Sequence, residues 1–163
     1  MRLIKLAVIS VVVLFAVAAF IGALLPSTVL VSRAVNIHVP ADSVLKYTSD
    51  IREWKNWIEG LNDTTMMVSS PRNAVLGNTA VAITGVSDSA VLSTWETRNG
   101  TIQQSTINII PGPGEVTIVQ WQFVQKLKWY PWEKLGSMMN DKIMGTMMEK
   151  NLSRLRDYLE ASR

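Results

Sequence analysis

Residues 89–125, SAVLSTWETRNGTIQQSTINIIPGPGEVTIVQWQFVQ, decide how this chain folds. Three runs rich in β-branched and aromatic residues are divided by two turn signals. The first is Asn99-Gly100, a pair suited to the positive-φ backbone of tight hairpins. The second is Pro111-Gly112-Pro113-Gly114, in which neither proline can donate to a strand ladder. If both turns are symmetric, Trp95, Gln104 and Trp121 fall opposite one another in a single row. Thr97, Ile102 and Phe123 form the next row on the same face. Leu92, Ile107 and Ile118 take the opposite face, with Glu96, Gln103 and Gln122 nearer the Asn-Gly end. One extra residue in any strand swaps these faces, because the side-chain period is two.

Working outward, residues 29–39 (VLVSRAVNIHV) alternate cleanly, with Val29, Val31, Val35, Ile37 and Val39 on one face. That is a strand buried on one side. Residues 40–60 open with a proline and Asp42, both helix-start signals, and place Val44, Ile51, Trp54 and Ile58 at helical spacing. Two short helices breaking near Asp50 are expected. TTMMVSS and NTAVAIT read as strands separated by a Pro71–Gly77 loop. From about Ser137 to Ala161 runs one long helix, whose apolar stripe is Met139, Ile143, Met147 or Met148, Leu152, Leu155 and Leu159. The order is strand, two short helices, a meander of about five strands, and a terminal helix. An antiparallel sheet with its helices on one side makes an α+β domain, the last helix lying across the sheet.

The N-terminus is a separate matter. From Leu6 to Leu25 there is no charged residue. At about 1.5 Å per residue this makes roughly 30 Å of helix, the thickness of a bilayer's hydrocarbon. A cleaved signal peptide is the competing reading, since Arg2 and Lys5 make an n-region and Ile21-Gly22-Ala23 a weak cleavage site. The apolar run exceeds an ordinary h-region, and small residues are lacking at both key cleavage positions, which favours an uncleaved anchor. The chain then divides into a transmembrane anchor, 1–26, and a domain, 27–163. Arg2 and Lys5 precede the span and Arg33 alone closely follows it, so the N-terminus is expected in the cytoplasm and the domain outside it.

Composition excludes several functions. There is no cysteine, hence no disulfide, thiol nucleophile or thiolate metal site. Sixteen Lys and Arg, less Arg2 and Lys5, leave fourteen against thirteen acidic residues, scattered along the chain. No basic stripe supports nucleic-acid binding. The single histidine, His38, sits on the polar face of its strand and reads as solvent-facing rather than as a base. No paired-carboxylate spacing suits a metal. Glu96 alternates away from Trp95, and Glu133 and Asp141 stand near a helix start, where the dipole favours carboxylates for structural reasons. Neither a catalytic residue, a metal nor a cofactor is expected, although positioning and a few hydrogen bonds leave an enzyme open.

Three stretches carry a resemblance: VNIHVPADSVLKYTSDIREWKNW, EVTIVQW and YPWEKLGSMMNDKIMGTMMEKNLSRLRDYLE. They resemble, in order, the opening strand and helices, the last strand, and the loop and C-terminal helix of the SRPBCC superfamily. Those are the START-like, helix-grip proteins, and the likeness is to their membrane-anchored, polyketide cyclase/dehydrase-like members. It spans Val29 to Glu160. The resemblance implies a curved antiparallel sheet gripping the terminal helix, with a hydrophobic cavity between them. Members bind lipids, sterols, polyketides or plant metabolites, and a minority are enzymes.

On that basis Trp95, Gln104, Thr106 and Trp121 are candidate cavity residues of the sheet, and Met139, Met147 and Met148 of the helix. Methionine suits a deformable apolar pocket, although core filling explains many of them equally well. Trp129, Tyr130 and Trp132 in KWYPWEKLG either plug the gap between sheet and helix or rim a cavity mouth facing the bilayer with Lys126, Lys128 and Lys134. The reading that results is a membrane-anchored module for a hydrophobic small molecule or lipid. A cyclase- or dehydratase-type enzyme and a partner-binding envelope protein stay open beside it. A reporter fused after Arg163 is expected to be active only outside the cytoplasm; activity confined to the cytoplasm overturns the orientation.

Overall fold

The computed structural model describes residues 2–24, 27–61, 66–127 and 131–162, with the backbone alone for residue 2 and for 131–140. Helix α1 (Arg2–Leu24) is followed by strand β1 (Thr28–Ile37), helix α2 (Ala41–Thr48) and a 3-10 turn, Ile51–Asn56. Asp50 accepts the Arg52 backbone N–H at 2.9 Å and so caps that turn where a break was expected. A meander then runs through β2 (Met66–Ser70), β3 (Asn73–Leu76), β4 (Thr79–Ser87), β5 (Ala90–Thr97), β6 (Ile102–Pro111) and β7 (Thr117–Lys126). Helix α3 (Pro131–Ala161) follows, beginning at a proline whose fixed φ suits a first helical turn. The result is an α+β, helix-grip fold: one antiparallel seven-stranded sheet, ordered β1-β7-β6-β5-β4-β3-β2, with α3 against it.

Two sequence expectations need correction. The Pro71–Gly77 loop contains a strand, because Asn73–Leu76 is long enough to bury Ala74 and Leu76 and pairs on both sides. The second correction concerns the sheet faces. The Asn-Gly turn closes on Thr97, whose N–H reaches Thr101 O at 3.0 Å, and encloses Arg98, Asn99 and Gly100. Gly100 takes φ +74°, so this is a three-residue hairpin with the glycine in the left-handed position. Trp95 therefore pairs with Gln103, not Gln104. The Pro-Gly turn is also longer than a symmetric one, closing on Pro111 and Thr117. The two shifts cancel for β7, which leaves Trp121 on the same side as Trp95, but they turn β6 over. Ser105, Ile107 and Ile109 face inward, while Ile102, Gln104 and Thr106 face outward.

Helix α3 keeps the expected stripe from Met148 to Leu159 and departs from it at Ile143. Its buried line is Gly145, Met148, Leu152, Leu155 and Leu159, with Asn151 beside it, whereas Ile143 and Met147 are 67% and 40% exposed. The reason is visible on β1. Arg33 points inward at the sheet edge, and its Nε lies 2.6 Å from Glu149 Oε1 while Nη1 lies 3.8 Å from Asp141 Oδ1. The guanidinium lies directly on the backbone of Gly145, in space that a Cβ would occupy. A cation thus takes the seam position where an apolar side chain was expected.

An alanine in mid-helix ordinarily gains about 0.5–1 kcal/mol over glycine. At position 145 its Cβ pushes the flexible guanidinium off the helix, and that partly exposed pairing contributes up to about 1 kcal/mol. Gly145→Ala is therefore expected to leave stability within about 0.5 kcal/mol of the parent. In an Arg33→Ala background the same substitution is expected to recover the full helix gain. Chemical denaturation of the four proteins measures the difference.

Candidate functional site

The inner face of the sheet carries Val91, Ser93 and Trp95 on β5, Ser105 and Ile107 on β6, and Val119, Trp121 and Phe123 on β7. Against this wall stand Trp54 and Trp57 from the 3-10 turn and its C-terminal end. Trp54 stacks on Trp95, with ring centroids 5.7 Å apart and planes 16° apart. Trp57 meets Trp121 edge-on at 5.6 Å, and Phe123 sits 5.3 Å from Trp121 and 5.4 Å from Trp95. Edge-to-face and stacked pairs of this kind add about 0.5–1.5 kcal/mol each beyond the area they bury.

A buried indole N–H needs an acceptor, and each of the four has one. Trp121 Nε1 donates to Ser105 Oγ at 2.7 Å and Trp95 Nε1 to Ser93 Oγ at 3.0 Å. Trp54 Nε1 donates to Thr48 O at 3.0 Å and Trp57 Nε1 to Tyr47 O at 3.4 Å. The last two carbonyls end α2 and lack helical donors, so the indoles also cap that helix. Ser93 and Ser105 are buried for this reason, and the sheet presents them to tryptophan.

Helix α3 supplies the other wall through Met144, Met148, Leu152 and Leu155. Among them Asn151 is 1% exposed; its Oδ1 accepts the Glu59 backbone N–H at 2.8 Å, and its Nδ2 has no partner. The Glu59 bond fixes the amide's orientation and leaves one buried donor unsatisfied. Lys150, one residue earlier, pairs with the Glu59 carboxylate.

The sequence candidates separate accordingly. Trp95, Trp121 and Met148 stand in this interior. Gln104 and Thr106 lie on the outer face of β6, turned there by the third residue of the hairpin, and Met147 faces outward from α3. Trp129 and Tyr130 lie outside the described residues, and the side chains of Trp132 and Met139 lie outside them too. Trp54, Trp57, Phe123, Ser93, Ser105 and Asn151 were not among the candidates. The serines become legible once the hairpin length is known, and Asn151 sits three residues after Met148 and four before Leu155, at core spacing.

Chemically, the buried polar side chains among the described residues are Thr48, Ser93, Ser105, Thr117 and Asn151, none of them ionisable at neutral pH. No cluster of metal-ligating side chains occurs among the described residues. Among the described residues the interior can pack an apolar body and offer a hydrogen bond to a polar atom on it, and its buried side chains include no ionisable group. His38 lies far along β1, where its backbone N–H and Nδ1 both meet Glu160 Oε1 at 2.9 Å. The backbone bond, with the ring contact second, holds the Glu160 carboxyl below the usual carboxylate range. That pair fastens the C-terminal end of α3 to β1.

A family described as "Polyketide cyclase / dehydrase and lipid transport" matches residues 28–160. No curated protein matches the sequence. Among solved structures, a START superfamily protein from Mycobacterium smegmatis is similar with TM-score 0.60 and 16% identity, covering 82% of this chain and 99% of that one. A protein from Nitrosospira multiformis superposes with TM-score 0.63 at 13% identity, covering 83% of this chain and 100% of the other. A protein of the dynemicin biosynthetic locus gives TM-score 0.59 at 17% identity over 82% of this chain, which spans only 48% of that one. Identities this low show a shared fold and nothing further.

Trp121→Ala is expected to cost about 3–5 kcal/mol, since it opens a cavity in the aromatic wall and leaves Ser105 without its donor. Gln104→Ala and Thr106→Ala, on the outer face, are expected to stay within about 0.5 kcal/mol of the parent by chemical denaturation.

Proposed function

Because the chain belongs to the polyketide cyclase/dehydrase and lipid transport family, we propose that it is a membrane-anchored SRPBCC-type domain. It takes a hydrophobic or amphipathic small molecule, or a lipid, between its sheet and α3. The observation that carries this reading is the interior itself: an aromatic wall with no ionisable group among its described residues, faced by a methionine-bearing helix. Unbranched Met144 and Met148 can repack around varied apolar shapes, which suits a ligand rather than a fixed chemistry. The unpartnered Asn151 Nδ2 offers one donor to a ligand carbonyl or hydroxyl.

Anchoring is supported by α1. Its segment Leu3–Leu24 has mean hydropathy 2.8 and is almost wholly exposed, as a helix made for lipid would be. In this reading residues 1–26 hold the domain 27–163 at the outer surface of the cytoplasmic membrane. We assign Trp129, Tyr130 and Trp132 to the mouth on sequence position alone, because they follow Lys126 of β7 and lie at the start of the α3 segment. No catalytic residue, cofactor, metal or nucleic acid enters the reading.

The test is native mass spectrometry of the full chain extracted from its membrane. A co-purifying apolar molecule, lost or exchanged faster in Trp129→Ala and Trp132→Ala, is the expected result. An empty protein whose melting temperature no apolar ligand shifts overturns the binding reading. If one stoichiometric protein co-purifies instead, the partner-binding alternative replaces it.

A further inference from the structure

We infer that the end of the sheet nearest α1 is a second membrane-contact surface, seated on phospholipid headgroups through the β5–β6 hairpin and the outer side of β1, β7 and β6. The inference rests on the reading of α1 as a retained membrane span and deepens it, because it says from where a ligand reaches the domain.

Chain geometry sets the height. α1 ends at Leu24 and β1 begins at Thr28. The residues between reach no more than about 11 Å even when extended. The Leu127 N–H donates to Ser27 O at 2.8 Å, which pins the end of β7 to the chain just after the span. Antiparallel pairing then brings the start of β1, the end of β7 and the start of β6 to one level: Thr28 pairs with Lys126, and Gln103 with Gln125. The hairpin turn Arg98-Asn99-Gly100 projects beyond that level by roughly 7–10 Å at strand spacing, about the reach of the linker. Arg98 N–H donates to Asn78 O at 3.1 Å, so the β3–β4 turn braces the tip. α3 starts at Pro131, shortly after this pin, and the end of α1 rests on it: Ala18, Ala19 and Gly22 alone are shielded among the described residues of α1.

Side chains at this end have the composition of a membrane interface. Leu30 is 58% and Ile102 55% exposed, and both point outward from the sheet, with Val124 between them. Arg98 and Lys126 stand exposed beside them, and a cleft of about 320 Å³ lies between the hairpin and the end of β7. Apolar side chains ringed by cations sit favourably at the headgroup boundary, where the charges meet phosphate. The middle of the outer face is different. Asn108 bonds to Gln120 at 3.3 Å and Gln120 to Ser32 at 3.2 Å, a neutral polar row. The far turns of β4–β5 and β6–β7 carry Asp88 and Glu115 instead. Among the described residues, the end nearest α1 sets exposed aliphatics beside Arg98 and Lys126, with Glu96 opposite Ile102, and the anchor holds it to the bilayer. β7 ends at Lys126 and α3 begins at Pro131, so this level is where a ligand drawn from the leaflet would enter between them.

The absence of native cysteine makes the test direct. Single cysteines are placed at Leu30, Ile102, Ile110 and Val8 of the full chain and spin-labelled, and the protein is reconstituted in phosphatidylethanolamine–phosphatidylglycerol vesicles. Ile110 is the control, 45% exposed on the same face of the same strand but about 26 Å further from the anchor at strand spacing. The collision ratio of oxygen to a water-soluble nickel chelate is expected to be severalfold higher at Leu30 and Ile102 than at Ile110, and highest at Val8. If Ile102 reads as watery as Ile110 while Val8 reads lipid, the span stands and the docking is wrong. Labels at Leu30 and Ile102 shielded from both reagents mean a protein partner covers the surface, which also overturns it. Water at Val8 removes the anchor, and this inference with it.

Discussion

The structure depends on finding a hydrogen-bond acceptor for each of four buried indoles. Trp54, Trp57, Trp95 and Trp121 come from the 3-10 turn and two strands, and their rings touch in series along the inner face of the sheet. Each brings a large apolar area and one donor that cannot be left dry. The acceptors decide the architecture: two serines on the sheet and two terminal carbonyls of α2. The bonds to Thr48 O and Tyr47 O tie the 3-10 turn to α2, and the Trp54–Trp95 and Trp57–Trp121 ring contacts hold both over the strands. A wall built this way is rigid and chemically quiet, suited to contact with an apolar body.

Helix α3 is held differently, by polar ties at intervals along one side. Near its middle Arg33 reaches across to Asp141 and Glu149; further on Glu59 meets Lys150 and Asn151; at its C-terminal end Glu160 meets His38. The seam of Met148, Leu152, Leu155 and Leu159 supplies most of the burial, at about 25 cal/mol per Å². The polar ties add less, because they are partly exposed, but they fix which face of the helix points inward. Glycine at 145 follows from that arrangement, since the guanidinium takes the place of a side chain.

Function follows from what remains available. With Ser93 and Ser105 already engaged, Asn151 Nδ2 is the one buried side-chain donor left unmatched among the described residues. Under the proposed reading, such an interior would sort ligands by shape and apolarity and offer them the Asn151 amide as a donor. Three residues separate the apolar helix α1 from β1, so the domain begins directly after that helix. On the outer face of the sheet Leu30, Ile102, Arg98 and Lys126 stand at the end nearest α1, and Asp88 and Glu115 lie in turns at the other end.

Alternation, turn residues and apolar periodicity determined the α+β class, the order of elements, the apolar N-terminal helix and the long final helix, because those signals are local. They placed Trp95 and Trp121 on one face for a reason that held only because two register shifts cancelled. Gln104 and Thr106 went to the wrong face, since Asn99-Gly100 permits loops of two or three residues and a single residue inverts a strand. On α3 the apolar spacing named Leu152, Leu155 and Leu159 and left Met147 or Met148 open; the packed helix buries Met148 and turns Met147 and Ile143 outward. Periodicity could not reveal the Trp121–Ser105 bond or the unmatched amide of Asn151, because the first depends on the β6–β7 register and the second on Glu59 packing against α3. The sequence alone therefore specified what kind of elements form and in what order. Tertiary packing decided which of their faces meet, because strand parity and helix phase depend on turn length and on contacts between residues far apart in the chain.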